Sequence, residues 1–111
     1  MDEEYIEILT EIEEEYFTLP ERVLFISVIF QALLDATKEK TIVESSRTSV
    51  ERASARAWFF CSVGVTCDNF EYICESAGMD AEYTRSFAIK VINSKEIKYV
   101  RQRIRRVLDK S

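Results

Sequence analysis

The sequence predicts an all-α fold: a compact bundle of five to six helices that contains a helix-turn-helix-like unit. Only two glycines and one proline interrupt the 111 residues, whereas residues that favour helices, such as Glu, Ala, Arg and Lys, are plentiful. Apolar side chains recur at three- and four-residue steps along most of the chain. The 47% hydrophobic content suits one ordinary core, so we expect a single helical domain over residues 1–111.

The first two predicted helices differ in their apolar surface. Residues 3–17 place apolar side chains on one stripe and acidic side chains on the remaining face, which predicts an amphipathic helix. Pro20 suits the first turn of a second helix, over about 20–38, because its missing amide would have no partner there. That helix is apolar nearly all round. It is therefore either the central element of the bundle, which we favour, or one side of a homodimer interface.

The middle of the chain predicts two further helices. A polar, serine-rich connection through Ser49 is typical of a loop, and a third helix follows over about 49–61. This helix ends in the aromatic cluster Trp58-Phe59-Phe60, for which we expect packing in the core. Asp68, followed by Glu71 three residues on, resembles a capping box and predicts a fourth helix from about Asn69.

The segment from Phe70 to Phe87 is typical of a helix-turn-helix-like unit, which we place at about 69–92. Cys74 is small where two helices would touch, and Gly78 tolerates positive φ at the turn. Asp80 is a good N-cap for a second helix over about 81–92. The outward positions of that helix are predicted to be Ala81, Glu82, Arg85, Ser86 and Ile89, with Lys90 at the edge. The alternative is two core helices joined by a glycine C-cap.

The charges divide between the two ends of the chain. Residues 1–21 carry nine acidic and no basic side chains, whereas residues 85–110 carry nine basic and two acidic ones. Many of these basic residues lie on a final helix, predicted over about 94–109 with Ser94 as its cap. The net charge of −5 therefore conceals a dipolar molecule. The basic end indicates phosphate contacts; the alternatives are that both ends are solvated helix faces, or that they attract each other within the fold.

A DNA-binding version of this fold requires base readers and phosphate contacts. Arg85 is the natural base reader because a guanidinium donates two hydrogen bonds to guanine. The remaining candidates for contacts with bases or phosphates are Thr84, Ser86, Lys90, Lys98, Arg101, Arg105 and Arg106. One module with a single strong reader binds weakly. We therefore expect a homodimer that binds duplex DNA at two half-sites about one helical turn apart.

The acidic first helix supports a different hypothesis. Its candidate partner-binding residues are Glu7, Glu11, Glu14 and Glu15. An acidic helix of this kind competes for a basic groove on another protein. Under this alternative the chain is a non-catalytic protein-interaction module that inhibits or adapts a nucleic-acid enzyme.

The composition argues against catalysis and bound metal. The chain has no histidine and no glycine-rich phosphate loop, so we expect no enzyme, no catalytic residues and no cofactor. The three cysteines, Cys61, Cys67 and Cys74, match no paired zinc motif and are predicted to be reduced thiols without a metal. With no secretory signal and no membrane span in the sequence, we expect a cytoplasmic protein.

Several short segments of this sequence resemble those of a known class of proteins. They are Ala57-Trp58-Phe59, Phe70-Glu71-Tyr72-Ile73-Cys74, Ala77-Gly78-Met79-Asp80 and Tyr83-Thr84-Arg85. Together they resemble small helix-turn-helix proteins of bacteriophages and prophages, in which an aromatic helix end precedes F-x-x-I-C-x-x-A-G-x-D-x-x-x-x-R. The resemblance covers about a third of the chain.

The resemblance implies a small transcriptional regulator of viral or mobile-element type. It places Gly78 in the turn, Asp80 at the cap and Arg85 on the reading face. Glu82 and a sequence pI of about 4.8 depart from a typical DNA reader. Small phage proteins of this shape also act by binding a host enzyme.

Overall fold

The computed structural model describes residues 3–15, 19–61 and 64–109, and all side chains in these ranges except those of residues 3–6 and 15. Within these ranges the chain forms helices and no strand, which confirms the all-α bundle of five to six helices. The helices are α1 (Glu3–Glu15), α2 (Pro20–Ala36), α3 (Ser46–Phe60), α4 (Val65–Ala77), α5 (Ala81–Ile92) and α6 (Ile97–Asp109).

The apolar helix α2 lies at the centre of the bundle, as favoured from its sequence. It contacts α3, α4, α5 and α6. Its large, fully buried side chains are Ile26, Ile29, Phe30 and Leu33, which pack with aromatic and aliphatic residues of the surrounding helices. Leu24 and Val28, on its other face, remain exposed.

The acidic helix α1 packs on the C-terminal part of the fold. Where the chain is described, α1 contacts α5 and α6 and no other helix. Leu9 and Ile12 are fully buried in this contact. Arg103 Nη2 donates to Thr10 Oγ1 at 3.3 Å and lies 3.9 Å from Glu13 Oε2. An acidic residue of α1 and a basic residue of α6 therefore pair within the fold, as one of the interpretations of the charge pattern predicts.

Three helix starts differ from the predictions. Helix α3 begins at Ser46 rather than Ser49, because Ser45 Oγ accepts from the Thr48 amide at 3.2 Å and caps the helix earlier. The next helix, α4, begins at Val65 rather than Asn69. Asp68 lies in its first turn instead of capping it, and the Asp68 amide donates to the Gly64 carbonyl at 3.0 Å.

The last helix, α6, starts at Ile97 and not at residue 94. Ser94 Oγ accepts from the Glu96 amide at 3.1 Å in the turn that precedes it.

The end of α2 also differs from the prediction, because the helix stops at Ala36 rather than at residue 38. Thr37 Oγ1 donates to the Leu33 carbonyl at 2.7 Å there. The predicted end of α1, residues 16 and 17, lies outside the described residues.

The turn between α4 and α5 has the predicted chemistry. Gly78 is in the left-handed region with φ of +77°, and the Met79 amide donates to the Cys74 carbonyl at 2.9 Å. Asp80 Oδ2 accepts from the Tyr83 amide at 2.8 Å, which caps α5. Cys74 is fully buried. The predicted bounds of α5, 81–92, are confirmed.

Replacing Gly78 by alanine should lower the free energy of unfolding by about 1–2 kcal/mol, because an L side chain is strained at positive φ. A Cβ there would lie 2.6 Å from Nη1 of Arg22, but that guanidinium is the end of a flexible side chain and can move away. Urea unfolding of Gly78→Ala, alone and combined with Arg22→Ala, separates the two effects. We expect the same loss in both backgrounds; no loss in either would contradict a left-handed turn at this residue.

Candidate nucleic-acid interface

Arg85, the predicted base reader, is engaged inside the fold. Its Nε donates to the Phe59 carbonyl at 2.8 Å, and its Nη2 donates to the Cys61 carbonyl at 3.3 Å. Its guanidinium also pairs with Glu82 and lies 5.0 Å from the ring centroid of Phe70. The side chain is only 18% exposed. Arg85 therefore stabilises the C-terminal end of α3, which corrects its prediction as an outward-facing reader.

Thr84 is the second correction on the predicted reading face. Its side chain is fully buried, and its Oγ1 donates to the Asp80 carbonyl at 2.8 Å. Ser86 is exposed as predicted, together with Glu82 and Ile89, while Lys90 is half-buried. The outward surface of α5 consequently presents little that reads bases.

Arg101 also departs from its predicted role as a phosphate contact. Its Nη1 donates to the Leu34 carbonyl at 2.5 Å and to Thr37 Oγ1 at 2.7 Å. Burial lowers the pKa of this guanidinium, and the nearby Arg105 acts in the same direction. Arg56 Nε donates to the neighbouring Ala36 carbonyl at 2.9 Å. Two arginines from other helices thus satisfy the last carbonyls of α2, where positive charge is favoured by the helix dipole.

The remaining predicted cations of α6 form what we call the basic strip: Lys98, Arg105 and Arg106. All three are exposed. Lys98 and Arg105 are seven residues apart, two helical turns, so they lie on one face, and Arg106 adjoins them. The strip begins six residues after the end of α5, the second helix of the helix-turn-helix-like unit. Together with Ser86 on α5, it is the part of the predicted DNA-binding set that the fold leaves exposed.

The predicted partner-binding residues of α1 are also accessible. Glu7, Glu11 and Glu14 are exposed, at positions separated by four and three residues, so they share one face of the helix. The side chain of Glu15 lies outside the described residues. Helix α1 packs against α5 and α6. The helix with the acidic face therefore contacts the helix with the basic strip.

The cysteines are reduced and mostly buried. Cys67 and Cys74 are buried and Cys61 is half-buried, and none forms a disulfide. Burial raises the pKa of the Cys74 thiol to about 11. Burial, and then the hydrogen bond to Glu71, raise the pKa of Cys67. Among the described side chains, no group of three or more His, Cys, Asp or Glu residues could hold a metal ion.

An apolar groove between α2 and α3 was not predicted from the sequence. It has a volume of about 880 Å³, and its apolar lining includes Leu24, Val28, Val50, Trp58, Ile73 and Leu108. Trp58 Nε1 donates to Asn69 Oδ1 at 2.8 Å, which fixes the indole at one end of the groove. The only signal for this feature was the nearly continuous apolar surface of α2.

No protein family, curated protein or solved structure matches this chain. None of the helices in the described ranges is long and apolar enough to span a bilayer. Function is therefore inferred from the placement of the charged and apolar surfaces in the bundle.

Proposed function

We propose that this protein is a small, non-catalytic DNA-binding regulator of transcription, of phage or mobile-element type. It acts in the cytoplasm, as a homodimer on duplex DNA. The proposal rests on the basic strip, in which three exposed cations lie on one face of α6. Exposed Lys and Arg side chains are the groups that bind the phosphate backbone and release its counterions.

We expect this protein to have lower DNA sequence specificity than a typical helix-turn-helix protein. With Thr84 buried and Arg85 bound to carbonyls, α5 offers Ser86 and the half-buried Lys90 toward bases. Phosphate contacts position a protein on DNA without reading its sequence. Two copies on two half-sites would supply the affinity that a single module lacks.

DNA binding should weaken steeply with salt, and the basic strip should account for that dependence. Arg105→Gln with Arg106→Gln is expected to reduce the slope of log affinity against log salt by about 2, since each phosphate contact contributes about 0.9. Fluorescence anisotropy with a random-sequence duplex measures the slope. The matched control is Lys40→Gln with Arg47→Gln, which removes two exposed charges near the α2–α3 loop. At a protein concentration at which the control has the same mass in solution as the wild type, its slope should be unchanged. Absence of binding by the wild type at low salt would contradict the proposal.

A second candidate function rests on the acidic face of α1. Glu7, Glu11 and Glu14 present three carboxylates on one exposed face. Such a face complements a basic groove, so the alternative function is a protein-interaction module that inhibits or adapts a host nucleic-acid enzyme.

A further inference from the structure

We infer that the α2–α3 hairpin, residues 20–60, is the surface through which a second copy of this chain binds. The inference deepens the proposed function, because it names the interface of the homodimer on which that function rests. The inference rests on exposed apolar side chains, however, whereas the proposal of DNA binding rests on exposed cations.

Exposed aliphatic side chains are concentrated in and next to this hairpin. Eight described Leu, Ile and Val residues are exposed, and six of them lie between residues 19 and 50. The six are Leu19, Leu24, Val28, Ile42, Val43 and Val50. The other two, Val65 and Ile89, lie on α4 and α5. Leu24, Val28 and Val50 line one groove, and exposed apolar side chains grouped on one surface are typical of a protein interface.

The hairpin carries both a groove and side chains that could fill it. The groove between α2 and α3 holds Leu24 and Val28 on one wall and Val50 and Trp58 on the other. In the loop that joins the helices, Ile42 and Val43 are almost completely exposed. In the two-fold dimer that we infer, the same patch meets itself, with the loop of each copy against the groove of the other.

The loop is held in place before any partner binds. Arg52 Nη1 donates to Glu44 Oε2 at 2.9 Å, and Nη2 donates to Oε1 at 2.6 Å. This bidentate pair directly follows Val43 and is largely buried. A loop that is already ordered loses less conformational entropy on association.

The charges around the groove favour a second copy over a charged partner. Asp35 and Glu51 lie on its rim. Lys38 Nζ is 3.4 Å from Asp35 Oδ1 and also pairs with Glu51, and Arg47 Nε is 2.9 Å from Glu51 Oε1. The carboxylates of Asp35 and Glu51 are thus paired with two cations of the same chain, and their charges are neutralised. Identical surfaces of this kind do not repel each other, and they offer a strongly acidic or basic partner no net attraction.

Sedimentation equilibrium over a concentration series tests the interface. The wild type should pass from the 13.0 kDa chain to a particle of twice that mass. Leu24→Asp and Val43→Asp, both at exposed positions, should each weaken association at least about tenfold. Val65→Asp and Ile89→Asp change aliphatic positions outside the hairpin that are also exposed, and they should leave association unchanged. Emission from Trp58, the single tryptophan, should shift to the blue as the dimer forms. Circular dichroism confirms that each variant is folded.

The outcomes separate this inference from the proposed function. A wild type that stays at 13.0 kDa at every concentration overturns the interface. So does a dimer that is unaffected by Leu24→Asp and Val43→Asp, or a monomer whose groove takes up an apolar dye without associating. DNA binding by a monomer would overturn the interface and the homodimer, and it would leave DNA binding by the basic strip supported. A dimer that responds to both hairpin variants and binds no DNA supports the interface and contradicts the DNA-binding proposal.

Discussion

Replacing Phe70 by alanine is expected to lower the free energy of unfolding by about 3–5 kcal/mol, as is typical of a large aromatic side chain lost from a core. Phe70 is fully buried. Its ring centroid lies 4.9 Å from that of Trp58 and 5.8 Å from that of Phe59, both in edge-on arrangements. Because such a loss is a large fraction of the total stability of a small domain, Phe70→Ala is the most damaging of our substitutions.

The position of Phe70 explains why the effect should spread beyond one helix. Its ring joins α4 to the end of α3, and the Arg85 guanidinium of α5 lies 5.0 Å above it. That guanidinium also binds the Phe59 and Cys61 carbonyls. A cavity at Phe70 removes one wall of the site that positions Arg85, so the packing of α3, α4 and α5 weakens together.

Urea unfolding monitored by circular dichroism measures the loss. Tyr72→Ala is the matched control, because Tyr72 is an aromatic residue of the same helix that is 57% exposed. It should cost less than about 1 kcal/mol. Equal losses for the two variants would contradict the assignment of Phe70 to the core.

The fold was predictable where local chemistry decides the structure. Gly78 and Asp80 fix the turn between α4 and α5 through backbone φ and a side-chain cap, and both act on neighbouring residues. Pro20 and the apolar run that follows it located α2, and apolar periodicity located α6. The prediction that the aromatic cluster packs in the core holds for Phe59, which is fully buried, and not for Phe60, which is 41% exposed.

The site was harder to predict, because the partners of its arginines lie far along the chain. Arg85 binds carbonyls 24 and 26 residues away, and Arg101 binds one 67 residues away. Sequence spacing shows where positive charge is dense, but it does not show which cations satisfy the ends of other helices. Ser45 and Ser49 are likewise both competent caps, and only the fold selects the first.

The groove escaped prediction for a related reason. A helix that is apolar nearly all round has no polar stripe to indicate which face stays uncovered. Leu24 and Val28 look no different in sequence from Ile26 and Ile29, which are fully buried. Only the placement of α3 and α4 around α2 distinguishes these faces.

Charge reversal on α1 is expected to have the largest effect on DNA binding. Glu7→Lys, Glu11→Lys and Glu14→Lys together should raise affinity for random duplex DNA about tenfold or more at low salt. The three carboxylates lie on the helix that packs against α5 and α6, so they oppose the field of the basic strip, and lysines there would add to it. Glu13 is left unchanged, because it faces Arg103.

Anisotropy titrations at two salt concentrations check this effect and its electrostatic origin. The gain should shrink as salt rises, because the screening length is about 10 Å at 0.1 M. Glu21→Lys, Glu39→Lys and Asp68→Lys form the matched control. These residues are exposed and lie outside α1, α5 and α6, and the change in total charge is the same. A smaller gain in the control would show that the position of α1 matters as well as the net charge.

The same variants separate the two candidate functions. If α1 limits DNA binding by the basic strip, the α1 variant gains affinity and the control gains less. Equal gains would assign the effect to net charge alone. If α1 is instead the surface for a basic partner protein, reversal abolishes activity toward that partner, as expected when like charges meet across an interface. A wild type that binds no DNA, combined with loss of partner activity in the α1 variant alone, would favour the interaction module over the regulator.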